Sequence, residues 1–236
     1  MDNSLITLCT TAAVIGFTHT LIGPDHYLPF IMLGKANNWS NKKIVIITIL
    51  CGIGHVLSSV ILGAVGIFLG LGLNKLISTE SIRGNISFYL LVGFGTAYAM
   101  WGVRYAIRKT SAAKQLHTHN GENFNHHHLH LIGHKHVHED NPNTIWAIFI
   151  IFVLGPCESL IPLLMFPAMM HGWHGVAVVS TIFGIVTITT MTLAVYVVYS
   201  GTKKLSSKWK WMETWSHALA GFAIAVSGLI IKIFGV

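Results

Sequence analysis

The sequence predicts an all-α membrane protein of six transmembrane helices, arranged as two inverted three-helix repeats. Three observations predict it. The 236 residues are 53% hydrophobic and only 10% charged, with a mean hydropathy of +0.63, whereas a soluble domain carries about a quarter charged residues. Six apolar stretches each approach the roughly 20 residues a membrane-crossing helix needs. The polar interruptions in the first half of the chain are echoed in the second.

The predicted spans are 5–33, 44–73, 86–107, 144–170, 176–200 and 211–236. No basic residue precedes the first and no small-residue cleavage site follows it, so it reads as a span and not a signal peptide. Basic residues sort by side. Lys35, Lys42, Lys43, Arg104, Arg108, Lys109, Lys114, Lys135, Lys203, Lys204, Lys208 and Lys210 fall on one side, and Lys75, Arg83 and Lys232 on the other. The richer side is expected to be cytoplasmic, which places both termini outside. A bacterial inner or plasma membrane is the expected location, with the lipid bilayer as surroundings. Because the basic residues sit in connecting loops, the net charge of +7 is no nucleic-acid footprint. Cys9, Cys51 and Cys157 all lie in predicted spans and offer no disulfide framework.

Three regions follow: a first three-span repeat (1–109), a polar segment (110–143) and a second repeat (144–236). The repeats are recognised by Gly23-Pro24-Asp25-His26-Tyr27-Leu28-Pro29 and Gly155-Pro156-Cys157-Glu158-Ser159-Leu160-Ile161-Pro162, which match with one residue inserted. Trp39 then matches Trp173, and Gly52 matches Gly184. Three spans per half force the second half upside down relative to the first, the plan of many transporters with a midplane site at interrupted helices. The segment between them holds His117, His119, His126, His127, His128, His130, His134, His136 and His138. It has too few apolar residues to pack and reads as disordered. Its imidazoles suit transition-metal ions, as a cytoplasmic collector distinct from the site in the spans; the plain alternative is a solvated linker.

Ionisable residues inside spans are costly and are functional-site candidates by default. Asp25 and Glu158 occupy corresponding or adjacent places in the repeats, each beside a metal-capable side chain, His26 and Cys157. Pro24 and Pro156 each remove a helix hydrogen bond, and a helix opened at Gly23-Pro24 lets His19, Asp25 and His26 converge. His55 follows Cys51 by four residues and shares its face. The candidate metal ligands are therefore His19, Asp25, His26, His55, Cys157 and Glu158. For His19 and His55 an interhelical hydrogen bond is an equal alternative, for Cys157 apolar packing; Cys9 reads as packing. His171 and His174 mark the outer end of the fourth span, as an entry point or as interfacial polar residues.

On these residues the chain resembles known families. His19…Asp25-His26 resembles the His-x4-Asp-His signature of the nickel/cobalt transporter family, with five residues, Thr20 to Pro24, in place of four. The resemblance implies ligand roles for His19, Asp25 and His26. The histidine-rich segment between two three-span halves resembles the related nickel and cobalt efflux branch and the urease-accessory membrane proteins. Gly155-Pro156-Cys157 resembles the membrane thiol–disulfide electron carriers, which share the three-plus-three plan but need one cysteine in each half. Here Asp25 stands opposite Cys157.

The expected function is transport of a divalent transition-metal ion, nickel or cobalt first, iron or zinc next. No prosthetic group and no enzymatic activity are expected, and homo-oligomerisation is left open. Two alternatives are a membrane thiol–disulfide electron carrier and an exporter of a small sulfur or organic oxyanion bound at broken-helix N-termini. Asp25 and Glu158 would repel such an anion.

Overall fold

The computed structural model describes residues 3–115, 142–157, 159–205 and 214–234. The predicted histidine-rich segment falls almost wholly outside them. Among the described residues the chain is helical throughout, with no strand. Five helices are long and apolar enough to cross a membrane.

Helix α1 (Asn3–Ile22) stops where the sequence predicts, at Gly23-Pro24, because Pro24 has no N–H to continue the ladder. A single 3₁₀ turn (Pro24–His26) follows, then α2 (Leu28–Ala36). At the end of α2, Asn38 takes the left-handed conformation (φ 51°) that asparagine tolerates. The Asn38 N–H donates to Lys35 O at 3.3 Å and the Trp39 N–H to Gly34 O at 2.9 Å. Tyr199 clamps this turn, donating its hydroxyl to Gly34 O (3.1 Å) and Trp39 O (2.5 Å). Helix α3 (Asn41–Phe68) is capped by Ser40, whose Oγ accepts from the Lys43 N–H. It ends the same way, with Gly70 at φ 66° and Leu71 N–H bonded to Gly66 O.

Helix α4 (Leu73–Gln115) starts well before the predicted 86. The polar run 74–85, which lies between two predicted spans and carries Arg83, is helical. Its hydroxyls bond back to their own helix, Ser78 to Asn74 O and Thr79 to Lys75 O, and Arg83 pairs with Glu80 at 2.7 Å. Helix α5 (Pro142–Leu154) breaks at Gly155-Pro156, and α6 (Leu160–Leu205) follows. A straight α6 of 46 residues would be about 69 Å long, over twice the roughly 30 Å hydrocarbon core. It is not straight. Gly172 takes φ 60°, ψ −153°, a region open essentially to glycine alone. A Cβ on Gly175 would sit 3.1 Å from Pro167 O, a carbonyl eight residues back that a continuous helix would hold about 12 Å away. The chain therefore turns on itself, and α6 is two arms, 160–171 and 173–205.

Helix α7 (Ser216–Phe234) lies antiparallel to α4 in the most extensive helix pair: Lys232 bonds Asn85 at 2.6 Å, while His217 meets Tyr98 at 2.8 Å. Small residues allow the approach, as is usual in membranes. A Cβ added to Gly221 would strike the Ala99 backbone, and one on Gly102 the Ala218 backbone. Gly221→Val is thus expected to lower the melting temperature in detergent, at a cost of about 1–3 kcal/mol or more. Gly93→Ala, where nothing lies within 4 Å, should be near neutral; equal losses from the two would refute the close packing.

Two apolar cores result. One gathers Phe30, Leu33, Ile44, Cys51, Phe152, Met191 and Tyr199; the other Leu5, Cys9, Cys157, Leu164, Val179 and Phe183. The broken ends of α1 and α5 lie where they meet.

Candidate metal centre

The opening at Gly23-Pro24 does bring His19 and His26 together. Their ring centroids are 4.8 Å apart, edge to face, and His26 meets His55 of α3 in the same way at 5.2 Å. Imidazoles from α1, the 3₁₀ turn and α3 therefore cluster, with His26 in ring contact with both of the others. His19 Nε2 also lies 4.0 Å from Cys157 Sγ. One ligand atom each from His19, His55 and Cys157 all fall within 4.8 Å of one another.

Hydrogen bonds settle which nitrogens face inward. His55 Nδ1 is 3.2 Å from Phe152 O. A carbonyl only accepts, so Nδ1 carries the hydrogen and Nε2 of the neutral ring keeps its lone pair. His26 Nδ1 is tied to two acceptors, Asp25 Oδ1 at 3.0 Å and Gly23 O at 3.3 Å, with the same consequence. Nε2 of both rings is buried without a hydrogen-bond partner among the described residues. An orphaned buried nitrogen carries a desolvation cost of about 1–3 kcal/mol. Tying one imidazole nitrogen to a carbonyl or carboxylate and leaving the other bare is how metal-binding histidines are held.

Metal–nitrogen and metal–sulfur bonds of about 2.0–2.3 Å put neighbouring ligand atoms of a tetrahedral ion somewhat under 4 Å apart. The His19, His55 and Cys157 group would close on an ion by small side-chain shifts. The set combines imidazole and sulfur, which suits borderline transition metals and not magnesium or calcium.

The predicted residues thus separate. His19, His55 and Cys157 form the close group, and His26 contributes a bare Nε2 beside it. Asp25 lies outside the close group: it orients His26, its side chain 32% exposed. Glu158 lies outside the described residues. His171 bonds Ser4 Oγ at 3.0 Å, and Ser4 is about 22 Å along α1 from His19, so the outer histidine pair is separate from this centre. All three cysteines are free thiols. Cys51 belongs to the core that contains Phe152, and Cys9 to the core that contains Cys157.

Sequence reasoning missed the charged and hydroxyl groups gathered beside the close group. Arg83 and Glu80 of α4, with Ser58 and Ser59 of α3, surround the end of α5. Opposite charges three residues apart on one helix face were the available signal, hidden by the polarity of the run around them.

The family of cytochrome c biogenesis protein transmembrane regions matches residues 28–230. The chain belongs to that family. It is an integral, multi-pass membrane protein in contact with the lipid bilayer. The match falls on the side of the thiol–disulfide resemblance and lends nothing to the nickel/cobalt transporter family. It takes in His55 and Cys157 but begins two residues after His26, so the His19…Asp25-His26 motif lies outside the matched residues. No curated protein and no solved structure matches the chain.

Proposed function

We propose that this membrane protein carries a divalent transition-metal ion, bound where the broken helices meet. The observation that carries the reading is the donor set: three imidazoles and a thiol from four separate segments, with two Nε2 atoms buried and bare. Nickel or cobalt is the first choice and iron or zinc the next, since imidazole and sulfur serve all four. The two breaks at Gly-Pro, each followed by a further helical segment, support a six-span, inverted-repeat architecture, and the distribution of Lys and Arg favours both termini outside. The protein would be a carrier and not an enzyme, and His117 to His138 would collect metal on the cytoplasmic side.

Family membership favours a second reading, a membrane thiol–disulfide electron carrier, over the first. A carrier of that kind passes electrons by making and breaking one disulfide, so two thiols must meet. Here the repeat counterpart of Cys157 is Asp25, and Cys157 would have to pair with Cys9 or Cys51 instead.

One experiment addresses both. Metal content and bound nickel or cobalt are measured on the purified protein, with and without residues 117–138. Deletion is expected to lower the total while leaving one tighter site. Loss of all metal on deletion would show that the membrane centre holds none. In parallel, a protein with all three cysteines changed to serine should lose less metal transport than Asp25→Asn. The reverse ranking, together with a reducible disulfide between Cys157 and Cys9 or Cys51, would establish the electron carrier.

A further inference from the structure

Helix α5 ends inside the apolar part of the molecule, and beyond the Gly155 N–H that reaches Phe152 O at 3.1 Å its last carbonyls need donors from outside their own helix. The carbonyls of Ile151, Phe152 and Val153, and that of Gly155 just beyond the helix, find donors on neighbouring helices. Ser87 Oγ of α4 donates to Ile151 O at 3.2 Å, and His55 Nδ1 of α3 to Phe152 O. Arg83 Nη2 donates to Val153 O at 3.0 Å and Gly155 O at 3.3 Å. The guanidinium also reaches α3, donating to Ser58 Oγ at 2.8 Å and Ser59 Oγ at 3.4 Å, and Ser58 Oγ in turn donates to His55 O at 2.9 Å. Glu80, 1% exposed, balances the charge through Nη1 at 2.7 Å.

We propose that Arg83 is the positioning residue of the centre, holding the turn of α3 that carries His55 and the end of α5 that leads into Cys157 in fixed relation. Three features select it. Its contacts fall on two of the three ligand-bearing segments: Gly155 is two residues before Cys157, and Ser58 caps the carbonyl of His55. A guanidinium offers five N–H donors in a planar fork, enough for the two carbonyls, the two hydroxyls and Glu80 together, whereas an ammonium has three. A cation at a helix C-terminus is also favoured by the helix dipole. Were α5 to slip, Phe152 O would leave His55 Nδ1, and the ring would lose the bond that aims its Nε2. The inference rests on reading His19, His55 and Cys157 as the site, but makes a claim about Cys157 that needs no metal.

The test uses the full chain in detergent, with Arg83→Gln combined with Glu80→Gln so that no buried carboxylate is stranded. Site-resolved alkylation by N-ethylmaleimide is followed on the metal-free protein, with Cys9 and Cys51 as internal references. Cobalt(II) is then titrated, reading affinity and the thiolate-to-cobalt absorption. Cys157 is expected to react roughly tenfold faster than in the parent while the other two cysteines change little. Cobalt affinity is expected to fall about 10–100-fold, the usual loss when a group supporting a metal ligand is removed. Unchanged Cys157 reactivity, or equal acceleration at all three cysteines, would overturn the inference. Selective acceleration in a protein that binds no cobalt even as parent would uphold the positioning role and remove the metal reading. If the double variant is not recovered, Arg83→Lys, which keeps the charge and loses the fork, is read by the same criteria.

Discussion

Replacing His55 with alanine is expected to abolish tight metal binding by the purified protein. The affinity for nickel or cobalt should fall further than the roughly 10–100-fold that follows loss of a supporting contact. His55 supplies one of the three close ligand atoms, and its Nε2 is already bare and buried. The substitution also frees Phe152 O, but that carbonyl still accepts from Gly155 N–H at 3.1 Å, so the end of α5 retains a partner. Titration of the protein lacking 117–138 isolates the membrane site from the histidine tract. Thermal unfolding in detergent, measured alongside, identifies any simple packing loss. If affinity is unchanged while the melting temperature drops, His55 is an interhelical hydrogen-bond donor and nothing more. Cys157→Ser should weaken binding less than His55→Ala, since His19 and His55 remain with His26 beside them.

Asp25→Asn is expected to eliminate transport in cells without reducing the amount of protein in the membrane. The amide oxygen of asparagine can still accept from His26 Nδ1, so the geometry at 3.0 Å is not the main casualty. What disappears is the negative charge next to an ion that is itself the largest local charge in such a site. Insertion should improve, because an aspartate at a helix centre is among the most costly residues on insertion scales. Membrane abundance and cellular nickel, cobalt, iron and zinc are measured in the same cells. Abundant variant protein with unchanged handling of all four ions would sink the proposal that the Asp25–His26 pair serves the site. Poor abundance with normal transport by the surviving protein would assign the pair to folding.

The sequence by itself determined the class of protein and the places where its helices break. Hydropathy is a sum over neighbouring residues, and a proline lacks its N–H wherever it stands, so both signals are local and legible. The same holds for the stock of buried chemistry: His19, His26, His55 and Cys157 stood out because a polar group in a span costs free energy wherever the helix ends up. What could not be read was which of these groups meet. Cys157 approaches His19 across 138 positions of chain, and helix rotation decides whether a side chain faces a neighbour or lipid. Only the tertiary structure showed that Asp25 serves His26 and stands apart from the closest group. The turn at Gly172 falls in the gap between the predicted spans 144–170 and 176–200, but only the tertiary structure turned the polar run 74–85 into the stretch of α4 that brings Arg83 to the end of α5. Charge in a membrane is tolerated only where partners surround it, and those partners come from α3 and α5, far away in sequence and adjacent in space.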